Sequence, residues 1–396
     1  MTTPFIFSDE HDAFRDSVRR YARGLLLDGY HERATSDAFP RDIYERLGKD
    51  GYLGLTVSEK YGGQGADLMT LGIASEEVAY ADFNVSYFVF NSAIAGSMYE
   101  SELQPEVRDE WLPKVVSGER VPGLALTEPG GGSDAAAMRT RAERVEGGWK
   151  LYGEKTSVSL SPNADVITIF AKTDPDAGAR GVSAFFVPQD DPTISGQRFA
   201  DPGFRPIGRG SVALDGTFVP DSHVVGEVGR GFQLVMGEFD FTRSVLGLMA
   251  IGAAERALDM TIEYVKQREA FGKPIARYEG VSFPIAEYAT KLEAARWLCY
   301  RAIALREAGR PHTKEAAMIK WWVPELATRC VHDCIVLHGH VGWSEEMPLQ
   351  QLYRDTSSLE IGDGTPQIQK LVVAREILGR EYLPYDVRLS SPGTNA

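Results

Sequence analysis

The chain has 396 residues, 43% apolar and 25% charged, which suits a globular protein of two or three domains around a large core. Its net charge of −14 argues against nucleic acid or an anionic membrane as the main partner. Three cysteines without a CxxC pair argue against a disulfide framework or a metal site; no basic start and no run of about 18 apolar residues lead us to expect a cytoplasmic protein with no membrane span.

From Ser8 to about Val121 the pattern is helical. Asp9 to Leu27 is amphipathic, and a second helix is predicted from Pro40 to Gly51, with proline near its start. Tyr61-Gly62-Gly63-Gln64-Gly65 reads as a breaker loop. Leu71 to Met98 is rich in Ala, Val, Tyr and Phe with few charges, which predicts buried helices or helices beside a cavity. From about Pro122 to Val225 short β runs alternate with turns, Asp165 to Lys172 and Gly181 to Pro188 being the clearest strands. Long helices return from about Phe232. Pro284 is expected to start one whose apolar positions Ile285, Tyr288, Leu292, Ala295, Leu298, Ala302 and Leu305 step by three and four. Cys330 and Cys334 share a helical face, which predicts core packing. The polar tail after Pro384 is expected to be loose. Helices, a β block, then helices predict an α+β chain of three domains, residues 1–121, 122–230 and 231–396.

Two motifs carry chemistry. Near the C-terminus, Glu360-Ile361-Gly362-Asp363-Gly364-Thr365-Pro366-Gln367 puts one carboxylate between two glycines. Glycine lets backbone approach a ligand or take positive φ, and a carboxylate on such a loop can act as a base. The same Asp-Gly-Thr also reads as a helix cap before Gln367 to Leu378. At the start of the β region, Ala125-Leu126-Thr127-Glu128-Pro129-Gly130-Gly131-Gly132-Ser133-Asp134 offers backbone N–H groups to an anionic or carbonyl-rich ligand. It is not GxGxxG, so a dinucleotide Rossmann site fits poorly.

This second string resembles the first hallmark of the acyl-CoA dehydrogenase family. The resemblance extends over nearly the whole chain, through Tyr61-Gly62-Gly63, Arg268 to Lys273 with Phe271-Gly272, Ser282-Phe283, Gly339, Gly342, Pro348 and Arg354-Asp355. It implies an N-terminal α-helical domain, a central β-barrel-like domain and a C-terminal four-helix bundle. It also implies one FAD per subunit, a homotetramer, an acyl-CoA substrate and an electron-transferring flavoprotein as acceptor. By the resemblance, Leu126 and Thr127 contact the flavin ring, and Ser133 meets the pantetheine or the flavin phosphates. Ser159 approaches flavin N5. Arg268 and Phe271 reach the FAD pyrophosphate and adenine of a neighbouring subunit, and Thr365 and Gln367 hold the pyrophosphate and adenosine part of FAD. Phe239, Asp240 and Arg243 line the CoA channel. Asp363, flanked by Gly362 and Gly364 at the substrate, stands where the family's commonest catalytic glutamate does. Such a base takes the α proton while a hydride leaves Cβ, and donors to the thioester oxygen stabilise the enolate.

Several positions depart from the family pattern. Asp363 is one methylene shorter than glutamate, about 1.5 Å at ordinary C–C lengths, and Gly362 replaces a bulky aromatic common in straight-chain members. Both enlarge the space at Cα, as a ring or α branch requires. Ser157, within Lys155-Thr156-Ser157-Val158-Ser159, replaces a tryptophan that stacks on the flavin; Trp321, Trp322 or Trp343 could restore cover. Val336 and Glu279 stand where glutamines are common, and His338-Gly339-His340 replaces part of a glycine run. These stretches resemble the branch acting on alicyclic acyl-CoAs such as cyclohexanecarboxyl-CoA. Thr242 occupies the alternative base position of other members, and Val85 the place of an arginine that binds a second carboxylate. His338 and His340 read as structural or solvent histidines. An acyl-CoA oxidase and a catalytically silent FAD-binding subunit of a heteromer are the rival readings.

Overall fold

The structure is a computed structural model that describes residues 7–383; the loose tail expected after Pro384 lies outside them. The N-terminal part comprises α1 (Asp9–Leu26), α2 (Tyr30–Thr35), α3 (Arg41–Lys49), α4 (Leu68–Ala81), α5 (Phe83–Glu102) and α6 (Pro105–Val116). Side chains define several starts. Ser8 Oγ accepts from His11 N at 3.3 Å while His11 Nδ1 accepts from Ser8 N at 3.1 Å, a capping box on α1. Asp67 Oδ1 caps α4 through Thr70 N at 2.8 Å. The apolar stretch from Leu71 to Met98 is broken at Asp82, whose buried carboxylate accepts from Asn84 N and Val85 N at 3.0 and 3.1 Å and opens α5. Both helices are buried almost all round, as a run with so few charges requires.

The middle part is one eight-stranded mixed sheet: β1 (Pro122–Ala125), β2 (Arg141–Val145), β3 (Gly148–Ser159), β4 (Val166–Lys172), β5 (Val182–Pro188), β6 (Ile194–Ser195), β7 (Arg209–Pro220) and β8 (Val224–Val225). The order is β6-β7-β3-β2-β4-β5-β8, with β1 parallel to β4. The sheet stays open. It is not a closed barrel, because the two-residue strands β6 and β8 end it without pairing to each other. Strand β4 is buried on both faces. Ile167, Ile169 and Ala171 pack in the core under the sheet, whereas Val166 and Phe170 join the helical core. The period of two thus fastens the sheet to the helices with one strand. Tyr99 of α5 meets Thr168 there, hydroxyl to hydroxyl at 3.1 Å.

The C-terminal part is α7 (Gly231–Gln267), the small hairpin β9 (Glu269–Ala270) and β10 (Lys273–Pro274), α8 (Glu279–Glu307), α9 (Thr313–His338), α10 (His340–Trp343), α11 (Pro348–Ser357) and α12 (Pro366–Leu378). Helix α9 packs against α7, α8, α11 and α12, and α7 packs on α4. Helix α8 does not start at Pro284. It begins at Glu279, where Val281 N and Ser282 N already bond to Tyr278 O, and Pro284 sits inside. Cys330 and Cys334 are buried and free, and His338 is a buried structural histidine stacked 4.3 Å from the Tyr264 ring. No group of three metal-ligating side chains occurs among the described residues, and no helix there is long and apolar enough to cross a membrane.

Candidate active site

The Asp363 loop joins α11 to α12. Asp363 has φ 55°, left-handed for a residue with a Cβ. Such backbone costs about 1–3 kcal/mol and persists only where neighbours over-determine it. Here they do. Arg243 of α7 donates from Nε and Nη2 to Asp363 O, each at 3.4 Å, and Gln369 of α12 donates to the same oxygen at 3.3 Å. Lys320 of α9 donates to Leu359 O at 2.6 Å and to Gly364 O at 3.2 Å. All these bonds land on backbone carbonyls. The Asp363 carboxylate and the N–H groups of Asp363 and Gly364 make no hydrogen bond among the described residues.

The helix-cap reading of this loop fails. Thr365 holds the cap position of α12 and makes no side-chain cap bond, and Asp363 does not reach the helix N–H groups either. Burial raises the Asp363 carboxyl above the ordinary carboxylate value, against the pull of the Lys320 and Arg243 cations. Burial also brings the Lys320 ammonium down to about 8.

One hydroxyl from another part of the chain lies near enough to feel this carboxylate's charge. Tyr87 of α5 lies beside Ser159 at the end of β3 and feels the Asp363 charge; burial raises its phenol above the usual value. The Tyr87 ring stands edge-on to Phe204 at 5.1 Å and tilted to Phe90 at 5.4 Å. Tyr87 thus links α5 to the end of β3 on one side and to the α11–α12 loop on the other.

Strand β3 also orders the glycine-rich loop. Lys155, wholly buried, donates to Leu126 O at 3.0 Å and to Glu128 Oε1 at 2.9 Å. Glu128 further accepts from Arg139 N at 2.6 Å and Thr140 N at 2.8 Å. Thr156 N donates to Thr127 O at 2.9 Å. Leu126 is buried, Thr127 half-buried, and Gly130 to Ser133 exposed, with nothing near a Cβ built on Gly130 or Gly131. The register of β3 against β7 slips between Lys155 and Val158, and Ser157 bulges out with φ 58°. Arg209 Nη1 donates to Ser157 Oγ at 2.8 Å while its Nε pairs with Asp201 at 3.0 Å. A guanidinium thus stands at Ser157. Trp343 is 80% exposed, Trp321 carries the Lys370 ammonium at 4.6 Å and Trp322 packs into the helical core.

On α7, Asp240 accepts from Arg243 Nη1 at 2.9 Å and from Thr313 Oγ1 at 2.6 Å, and the Arg243 guanidinium lies 5.8 Å from the Phe239 ring centre. Buried Arg243 is directed to the loop carbonyl. Thr242 is buried, its hydroxyl turned to Phe239 O at 3.5 Å. Arg268 and Phe271 are not brought to this point. They sit on the exposed β9–β10 hairpin, with Phe271 at φ 52° and 98% exposed. Gln367 is also exposed; the glutamine on the loop is Gln369, whose Nε2 would lie 2.3 Å from a Cβ at Gly364. Lys320, Gln369, Tyr87 and the Lys155–Glu128 pair were not singled out from sequence. Only Lys320 carried a signal, a lone charge inside Ala316-Ala-Met-Ile-Lys-Trp-Trp-Val323.

Comparison with known proteins covers nearly all of this architecture. Models described as the N-terminal, middle and C-terminal domains of acyl-CoA dehydrogenase match residues 8–119, 123–217 and 229–378. An acyl-CoA dehydrogenase of Bacillus subtilis (strain 168) is 32% identical, with 94% of this chain and 99% of that protein covered. The caffeyl-CoA reductase-Etf complex subunit CarC of Acetobacterium woodii is 33% identical over 94% of this chain and 99% of its own. The solved FAD complex of PigA superposes with a TM-score of 0.91 at 26% identity, covering 96% of this chain and all of that one.

Proposed function

Because this chain belongs to the acyl-CoA dehydrogenase family, we propose that it is the FAD-dependent oxidoreductase that introduces an α,β double bond into a compact cyclic or branched acyl-CoA, with Asp363 as base. The observation that carries the reading is the Asp363 carboxylate itself. It is half-buried, makes no hydrogen bond among the described residues, and stands on a loop held by three other side chains. A carboxylate so placed gains from taking up a proton.

The cofactor is FAD. The residues present fit it. The hydroxyls of Thr127 and Thr365 make no hydrogen bond among the described residues, Thr365 stands at the N-terminus of α12, and Gly130 to Ser133 form an open loop. Leu126, Thr127, Ser133, Ser159, Thr365 and Gln367 are the residues assigned to hold it from this chain. Arg268 and Phe271, exposed on their hairpin, are assigned to a neighbouring subunit of a homotetramer. FAD, when bound, supplies the hydride acceptor. The protein's part is to take the α proton on Asp363, and to present the Asp363 N–H to the thioester oxygen, where charge develops. Arg243 of α7 bonds to the same loop, and with its neighbours Phe239 and Asp240 it is assigned to the CoA side.

Gly362 and the short base leave room beside Cα, and buried Val85 offers no cation to a distal carboxylate. These features support a ring or branch over a straight or dicarboxylic chain, with cyclohexanecarboxyl-CoA the specific substrate proposed. The division at residues 121 and 230, an electron-transferring flavoprotein as acceptor and a cytoplasmic location belong to the same proposal. Anaerobic addition of straight, branched and cyclic acyl-CoAs to the flavin-loaded protein tests it. Bleaching fastest with a cyclic or branched thioester, and lost in Asp363→Asn with flavin retained, is expected. No bleaching with any thioester would leave a silent subunit, and bleaching in Asp363→Asn within tenfold of wild type would remove Asp363 as base.

A further inference from the structure

Lys320 is wholly buried in α9, yet no carboxylate pairs with it among the described residues. Its ammonium bonds only to Leu359 O at 2.6 Å and Gly364 O at 3.2 Å. A buried, unpaired ammonium is expensive, and an apolar side chain of similar length would fill the space at lower cost. The two carbonyls bracket the Asp363 loop on both sides, so the cation binds the loop as one unit.

We propose that Lys320 is a positioning residue for the base, its ammonium fixing the Leu359–Gly364 loop and its charge holding the Asp363 carboxylate ionised. This rests on the reading of Asp363 as base. The other groups around that carboxylate do not duplicate the role. Arg243 from α7 is shared with Asp240 and lies near Arg375, Tyr87 from α5 is neutral, and Glu360 on the loop itself is an anion. Among the described residues, Lys320 alone binds the loop at both ends.

Lys320→Gln keeps hydrogen-bond donors and removes the charge. Expected are unchanged flavin content and circular dichroism, a KM within threefold and a kcat at least tenfold lower. The acid limb of the kcat/KM–pH profile should move up by about one pH unit or more, because a nearby cation lowers a carboxyl pKa. A wild-type acid limb with kcat within twofold would overturn the proposal. Should Lys320→Gln not hold flavin, Lys320→Arg decides: an acid limb at the wild-type pH supports the proposal, and a raised limb overturns it. The double variant with Asp363→Asn separates this from the base assignment. Lys320→Gln should have no further effect on kcat there, and an undiminished effect would overturn the coupling through Asp363. Near-wild-type activity of Asp363→Asn alone would instead count against the base itself.

Discussion

The backbone N–H of Phe204 donates to the buried carboxylate of Asp355 at 2.9 Å. Gln351 shares the same oxygen at 3.0 Å, and Tyr30 and Asn84 donate to the other at 3.1 and 3.0 Å. One carboxylate thus joins α2, α5, α11 and the loop between β6 and β7. It holds Phe204 at φ 58°, where the ring meets Phe83 and Tyr87. Through the Phe204 ring this junction supports Tyr87, which feels the Asp363 charge.

Asp355→Asn places an NH2 where two of the four donors need an acceptor. Each buried donor left unsatisfied costs about 1–3 kcal/mol. Loss of about 2–4 kcal/mol of unfolding free energy at pH 7.5 is expected in denaturant titration, with the acyl-CoA profile altered through the displaced Phe204 and Tyr87 rings.

Burial pushes the Asp355 carboxyl up to about 7, above its unfolded value. The folded protein therefore binds the extra proton between about pH 4 and pH 7, and the stability this group contributes is lost as pH rises through that window. Unfolding free energies measured from pH 5 to 8 should show a smaller decline in Asp355→Asn than in wild type.

For Asp363 the direction concerns activity. Only the ionised carboxylate accepts a proton, and burial raises its pKa. Under the base assignment, kcat/KM should fall as pH drops, with the midpoint above the ordinary carboxylate value. A midpoint at or below that value would show that the cations outweigh burial.

Gly362→Tyr tests the space beside Cα. Gly362 is outside the left-handed region, and the nearest atom to an added Cβ is Ser358 O at an ordinary 3.8 Å, so the backbone admits a side chain. Burial of about 50 Å² of apolar area is worth roughly 1.3 kcal/mol, or about tenfold. The variant should lose about that preference for cyclic over straight thioesters in kcat/KM while keeping its flavin.

Lys155→Met cuts the tie between β3 and the glycine-rich loop. It removes the donor to Leu126 O and leaves Glu128 without its cation. Breaking one side of a buried pair costs about 3–5 kcal/mol. The backbone N–H groups on Glu128 soften this, so a loss near 3 kcal/mol and a lower flavin content per chain are expected.

The helical and strand texture was legible in the chain because burial patterns are local. Strand β4 and helices α4 and α5 each carry their own period or unbroken apolar run. The Leu126–Ser133 string and the Asp363 loop were legible as well, since glycines and turn residues act on their own backbone. What those loops meet was not. Whether Asp363 caps a helix or faces a cleft depends on Lys320, Arg243 and Gln369, which come from three other helices. Gln367 and Gln369 are alike in sequence, and only the winding of α12 puts the second on the loop. Pro284 reads as a helix start because its ring suits one, yet bonds to Tyr278 O begin α8 a turn earlier. Closure of the sheet is likewise decided at its edges: β6 and β8 are short and never meet. Local chemistry sets how each segment bends and which face it hides; the partner on that face, the desolvation of a carboxylate and the strain a loop can hold arise only when distant segments pack.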